Sequence, residues 1–249
     1  MVYLAEFVGT AILILLGGGV VAGVSLARSK ALNGGWIVVT FGWGMAVAVA
    51  IYVVGSTSGA HINPAVTLGL ASIGEFDWAQ VPGYMLAQLA GAFTGAVLVY
   101  LAYFAHWKVT DDPDAKLGVF STAPAVRNPV ANLATEIIGT AMLLLGVLGI
   151  GANSGFVSAD EADLSGLFTN GIAPLMIGLL VLAIGLSLGG PTGYAINPAR
   201  DLGPRLAHAV LPIPGKGGSD WGYSWIPVVG PLVGGVLGAW IWKLTGFGG

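Results

Sequence analysis

The chain has 249 residues, 55% of them hydrophobic and 8% charged, with a net charge of −3 and no cysteine. A soluble domain carries about 25% charged residues, so this composition excludes a surface that faces water all round and indicates an integral membrane protein. The lack of a basic excess argues against a nucleic-acid partner, and the lack of cysteine rules out disulfides and thiolate metal sites.

At the N-terminus, "MVYLAEFVGT" has no basic region and Glu6 interrupts its apolar run, so no signal peptide is expected. A spanning helix needs about 20 mostly apolar residues to cross roughly 30 Å of hydrocarbon. Six segments meet this: residues 3–26, 36–56, 80–106, 131–151, 172–190 and 224–245. The pieces "RSKALNGG", "KVTDDPDAKLG" and "NSGFVSADEADLSG" separate them, and the acidic clusters of the last two read as solvated loops. Glycines inside the spans ("GGGVVAG", "AGAFTGA", "GGVLGAW") read as packing faces, because small residues let membrane helices approach closely. Two further segments, about 63–72 and 197–208, are too short to cross. Ten helical residues reach about 15 Å, so these are half-helices, admissible only where buried in protein or lining a water-filled cavity.

The chain repeats itself. "AEFVGTAILIL" (5–15) matches "TEIIGTAMLLL" (135–145), and "GAHINPAVTLG" (59–69) matches "GYAINPARDLG" (193–203). Each copy holds three spans and one half-helix. Three is odd, so the second copy enters the membrane from the opposite face. The expected architecture is an all-α membrane protein of one domain over 1–249, an inverted 3+3 repeat with copies at about 1–106 and 131–249. Such repeats are associated with a site at the midplane.

Asparagine before proline is a strong helix start, with Asn at the N-cap and Pro at N1. Asn63, Pro64, Ala65 and Asn197, Pro198, Ala199 therefore open the two half-helices. A capping side-chain oxygen turns its NH₂ group away from the helix, so the pair presents two donors where two positive helix ends meet. Such a site suits a hydroxyl or a water and repels cations. Arg200 falls at N3 of the second half-helix, where the dipole disfavours a cation and a capping box would place Glu or Gln. Breaking both rules inside a membrane marks it as a fixed donor and cation barrier; snorkelling to the interface is the competing reading. Asp201 is favourable near a helix N-terminus and is spaced to pair with Arg205.

The paired "HINPAVT" and "AINPARD" motifs, with six spans and two half-helices, resemble the major intrinsic proteins, the aquaporin family. The resemblance covers essentially the whole chain. Asp201 with Arg205 following is similar to the glycerol-facilitator (aquaglyceroporin) branch. The resemblance implies a selectivity filter of Trp43, Gly185, Tyr194 and Arg200. Glycine at 185, where water-selective members usually carry histidine, leaves the pore open. Trp43 and Tyr194 form an apolar corner opposite the donors of Arg200. Tyr194 stands where the family more often has phenylalanine, and its hydroxyl tightens the filter or favours more polar solutes. Glu6, Glu136 and Asp201 support loops, with proton carriage the alternative for the two glutamates. His61 lines the pore or is a satisfied core histidine; His106 and His208 have no specific role.

The implied function is a passive channel for glycerol, with water and possible further permeants in dihydroxyacetone, urea, hydrogen peroxide and protonated lactic acid, excluding protons and ions. It needs no cofactor or metal and is not an enzyme. A water-selective channel is the alternative, and an ion-coupled secondary transporter a further one. The family also implies a homotetramer in the lipid bilayer of the plasma membrane, multi-pass, with both termini cytoplasmic. That orientation puts Arg28, Lys30, Lys108, Lys116, Arg127 and Lys216 outside, against the positive-inside tendency.

Overall fold

The structure, a computed structural model, describes residues 1–156, 158, 159 and 162–247. Among them are six helices long and apolar enough to cross a membrane. In chain order, α1 (Val2–Ser25), α2 (Gly35–Ser58), the half-helix α3 (Pro64–Ile73) and α4 (Val81–Ala102) make the first copy. Two short helices follow, α5 (Phe104–Trp107) and α6 (Pro113–Phe120). The second copy holds α7 (Pro129–Ala152), α8 (Ser165–Leu167) with a π-turn (Phe168–Ile172) leading into α9 (Ala173–Leu188), the half-helix α10 (Pro198–Val210) and α11 (Ile226–Thr245). Residues Ser158–Ala159 and Ala162–Asp163 form a small antiparallel pair. Asp160 and Glu161 of the acidic cluster read as a solvated loop lie outside the described residues.

The expected spans are present, with local differences. The third span ends at Ala102, four residues early, where Tyr103 leaves the helix. The loop at 108–118, read as solvated, runs into α6, whose Lys116, Leu117, Val119 and Phe120 are buried. Its signal was in the sequence: Asp112 before Pro113 is an N-cap, and its Oδ1 accepts from Asp114 N at 2.8 Å and Ala115 N at 3.2 Å.

Glycines do set the packing. A methyl added at Gly95 of α4 would lie 2.5 Å from Ala11 O of α1, and one at Gly91 would run into Phe7 O. In the second copy, Gly234 and Gly238 of α11 meet Ile137 O and Ala141 O of α7 in the same way. Across the pseudo-twofold, Gly44 of α2 and Gly178 of α9 face each other, each added methyl 2.6 Å from the other's carbonyl. The half-helices are exchanged between copies: Gly69 of α3 packs on Gly235 of α11, and Gly203 of α10 on Ala92 of α4.

The burial pattern is inverted relative to a soluble domain. Leu86, Leu101, Ile138 and Val53 point outward, while Glu6, Gln88, Glu136, Asp201 and Arg205 are fully or almost fully buried. Large apolar side chains on the rim and satisfied polar groups inside are what a lipid solvent selects. This is a multi-pass membrane protein.

Candidate solute pore

The approach to each half-helix is backbone held against its own preference. Gly59, Ala60 and Ile62 lie at positive φ, as do Gly193, Tyr194 and Ile196. For the two isoleucines, at φ 44° and 43°, the left-handed region crowds a β-branched Cβ. Two carboxylates hold these loops. Glu6 Oε1 accepts from Ser58 Oγ (2.7 Å) and His61 N (2.9 Å), and Oε2 from Ile62 N (2.7 Å) and Gln88 Nε2 (2.7 Å). Glu136 Oε1 accepts from Thr192 Oγ1 (2.7 Å) and Ala195 N (3.0 Å), and Oε2 from Ile196 N (2.9 Å). Five of these seven partners are N–H groups that can only donate, an arrangement that suits two ionised carboxylates.

Where the half-helices meet, each asparagine caps its own helix and reaches into the other. Asn63 Oδ1 accepts from Ala65 N at 2.8 Å, and Asn197 Oδ1 from Ala199 N at 3.0 Å and Arg200 N at 3.2 Å. Asn63 Nδ2 donates to Ile196 O and Asn197 Nδ2 to Ile62 O, both at 2.8 Å. An amide NH₂ has two protons, so the crossing bond leaves one per asparagine, two for the pair. Pro64, Ala65, Pro198 and Ala199 form the first turns behind them and are buried.

Both loops and both asparagines line one cavity of about 180 Å³, together with Trp43, His61, Tyr194, Arg200 and aliphatic side chains such as Val47 and Leu143. The arrangement at Arg200 differs from the expectation in three ways. The guanidinium carbon lies 4.0 Å over the Trp43 ring centroid, so the two are in direct contact and not on opposite walls; a cation prefers the negative face of an indole. Gly185 does not open the pore, because the Tyr194 ring fills the space: a methyl there would sit 2.7 Å from Tyr194 Cζ. The Tyr194 hydroxyl is buried against Gly185 and has no hydrogen-bond partner among the described residues, so it offers nothing to a solute. Trp36 completes this wall, edge-on to Tyr194 at 5.7 Å and donating through Nε1 to Gly185 O at 3.0 Å. Arg200 Nη1 donates to Phe120 O at 3.3 Å.

Asp201 supports a loop other than its own. Its Oδ2 accepts from Thr122 N and Oγ1, each at 2.8 Å, and its Oδ1 from Arg205 Nε at 2.8 Å. Arg205 then donates to Thr122 O, Ser219 O and Asp220 O. Above this knot, hydrogen bonds to Asp220 hold the Arg127 guanidinium above its usual pKa range. The C-terminal ends of both half-helices meet a lysine: Lys243 Nζ donates to Ile73 O, and Lys216 Nζ to the carbonyls of His208, Ala209 and Leu211, as the dipole favours. His106 Nδ1 contacts Ala27 O and His208 Nδ1 contacts Ser219 Oγ, both at 2.9 Å.

Sequence reasoning passed over Ser58, Thr192, Gln88, Thr67 and Phe120. Ser58 and Thr192 were within reach, since hydroxyls fall at matching places in "TSGAHINPA" and "PTGYAINPA". The others have no signal in a single sequence.

The profile of the major intrinsic protein family matches residues 2–242. A probable glycerol uptake facilitator protein of Thermotoga maritima is 65% identical over 238 residues, 96% of each chain. The glycerol uptake facilitator protein of Bacillus subtilis is 58% identical, covering 94% of this chain and 80% of that one. The X-ray structure of the aquaglyceroporin from Plasmodium falciparum superimposes with a TM-score of 0.83 at 32% identity, over 97% of this chain and 94% of that one. With the family profile spanning nearly all of its length and the fold superimposing throughout, the chain belongs to the major intrinsic protein family.

Proposed function

We propose that this protein is a passive channel for glycerol and other small neutral solutes, with its selectivity filter at Trp43, Tyr194 and Arg200 and Gly185 backing Tyr194. The observation that carries the reading is the mixed lining of one cavity. Aromatic and aliphatic faces suit the CH edge of a polyol, and Arg200 and the remaining N–H of Asn63 and Asn197 suit its hydroxyls. The names of the relatives, glycerol uptake facilitators, support glycerol as the leading solute. Water, dihydroxyacetone, urea, hydrogen peroxide and protonated lactic acid belong to the same chemical class of small neutral molecules. Two half-helix N-termini and Arg200 oppose protons and cations. The carboxylates that an ion-coupled transporter would use as a relay or sodium cage, Glu6, Glu136 and Asp201, are each engaged by several donors. The chemistry is passage without bond making, so the protein is not an enzyme.

The same reading places one domain over 1–249, as a homotetramer in the plasma membrane with both termini cytoplasmic. The six cations on the opposite face are not all free to direct insertion. Lys116 is bound to Pro214 O and Gly215 O, Lys216 caps α10, and Arg127 pairs with Asp220 at 2.6 Å. Protease accessibility of the 107–118 loop in oriented vesicles tests this orientation.

Stopped-flow light scattering on proteoliposomes, under glycerol and then sorbitol gradients, tests the function. Fast glycerol re-swelling independent of ions, lost in Gly185→His while water flux survives, is the expected result. That substitution drives the Tyr194 ring into the cavity. Water flux without glycerol flux would replace the reading with a water-selective channel. Neither flux above that of empty liposomes would overturn it.

A further inference from the structure

Among the equivalent positions at which the two copies differ, two are in contact with each other in the first copy. His61 and Thr67 in the first copy correspond to Ala195 and Asp201 in the second. Thr67, like Asp201, lies in the first turn of its half-helix, but it contacts an imidazole and an amide where Asp201 contacts Arg205 and Thr122. His61 Nδ1 lies 3.1 Å from Thr67 Oγ1. Gln88 Nε2 donates to the same Oγ1 at 3.0 Å and to Glu6 Oε2 at 2.7 Å. Thr67 Oγ1 in turn donates to Asn63 O at 3.2 Å.

The proton inventory of this chain is nearly closed. Glu6 receives donors only, so the nitrogen of the Gln88 amide, and not its oxygen, must face it. The amide keeps this orientation although its Oε1 is then buried without a partner among the described residues. Its second N–H falls on Thr67 Oγ1. A hydroxyl has one proton and two lone pairs. If that proton goes to Asn63 O, Thr67 accepts from both Gln88 and His61, and all three contacts are hydrogen bonds. If it goes to His61 instead, the bond to Asn63 O is forfeited. The tautomer of a histidine is assigned by the network that satisfies most partners, and the first arrangement does so.

We propose that Glu6, through Gln88 and Thr67, holds His61 in the Nδ1–H tautomer, so that its Nε2 lone pair faces the cavity as a hydrogen-bond acceptor for a hydroxyl-bearing neutral solute. Nε2 has no protein partner among the described residues, and His61 lines the cavity. Phe76 and Tyr84, at 4.6 Å and 5.0 Å between ring centroids, fix the plane of the imidazole. The asparagine and arginine side chains elsewhere in the cavity offer donors. His61 supplies a side-chain acceptor to a group that both donates and accepts. Gln88 and Thr67 are positioning residues. The transport consequence rests on the channel reading above; the tautomer does not.

The test is solid-state NMR of ¹⁵N-histidine-labelled protein in liposomes at neutral pH, with His61 assigned by the signals lost in His61→Gln. The expected spectrum has Nδ1 protonated and Nε2 bare, kept in Thr67→Ser. In Thr67→Val the proton moves to Nε2, and glycerol permeability falls about fivefold, the worth of one neutral hydrogen bond. A wild-type imidazole protonated on Nε2, or on both nitrogens, overturns the proposal, as does Thr67→Val with the proton still on Nδ1. The wild-type spectrum decides the matter even if Thr67→Val does not fold. A bare Nε2 in a protein that passes no glycerol would uphold the tautomer and overturn the glycerol reading alone.

Discussion

Replacing Glu136 by glutamine separates a carboxylate that holds a loop from one that carries protons. Glu136 accepts three hydrogen bonds, from Thr192 Oγ1, Ala195 N and Ile196 N. Glutamine has the same shape, but its NH₂ must face a donor whichever way the amide turns. One N–H then goes unmet inside the protein, at about 1–3 kcal/mol. The remaining bonds fall from the charged class to the neutral one, at about 1 kcal/mol each. Together Glu136→Gln costs about 3–5 kcal/mol. The bonds it weakens restrain Tyr194 at φ 39° and Ile196 at φ 43°, left-handed residues that each cost roughly 1–2 kcal/mol. The loop is therefore expected to relax, moving Tyr194 and the Ile196 carbonyl that receives Asn63. Thermal unfolding of the purified protein reads the first effect, and glycerol and water flux in proteoliposomes reads the second. The expected result is a lower midpoint with both fluxes strongly reduced. A variant with wild-type midpoint and glycerol flux would refute the reasoning, and loss of a proton-coupled component alone would mark Glu136 as a relay.

Asp201→Ala leaves Arg205 charged, buried and short of its carboxylate, so it is expected to destabilise the protein by about 3–5 kcal/mol. Asp201→Ala with Arg205→Met should recover part of that loss, and unfolding midpoints of the two variants check it. Gly95→Ala presses a methyl against Ala11 O at 2.5 Å and should cost about 1–3 kcal/mol. Gly19→Ala, with nothing within 4 Å, should stabilise α1 by up to about 1 kcal/mol; the same midpoints rank the pair. Tyr194→Phe removes a buried hydroxyl without a partner among the described residues. It should leave solute selectivity unchanged and raise stability by about 1 kcal/mol or more, whereas a changed glycerol-to-water ratio would show that the hydroxyl does reach the solute.

Much of this protein was legible in one sequence, because the features concerned are local or repeated. Span length follows from hydrocarbon thickness, and Asn63-Pro64 and Asn197-Pro198 start helices through contacts two or three residues long. The odd number of spans per copy forces the inversion. Even α6 had its local cap at Asp112, a signal missed and not absent. What the tertiary structure decided lies in bonds between distant parts of the chain. Asn63 reaches Ile196 across 133 positions, Arg200 reaches Phe120 across 80, and Gln88 reaches Glu6 across 82. Such contacts depend on how the two copies interlock, which Gly44 and Gly178 permit at the axis between them. Composition says that Gly185 is small; only packing says that Tyr194 fills the room it leaves. The family resemblance puts Arg200 and Trp43 near one site, but their stacking was decided by the side chains around them. The sequence by itself determined which elements form and where they start, since those energies act over a few residues. Which proton, ring face or carbonyl each side chain meets was settled only when the two copies closed on one another.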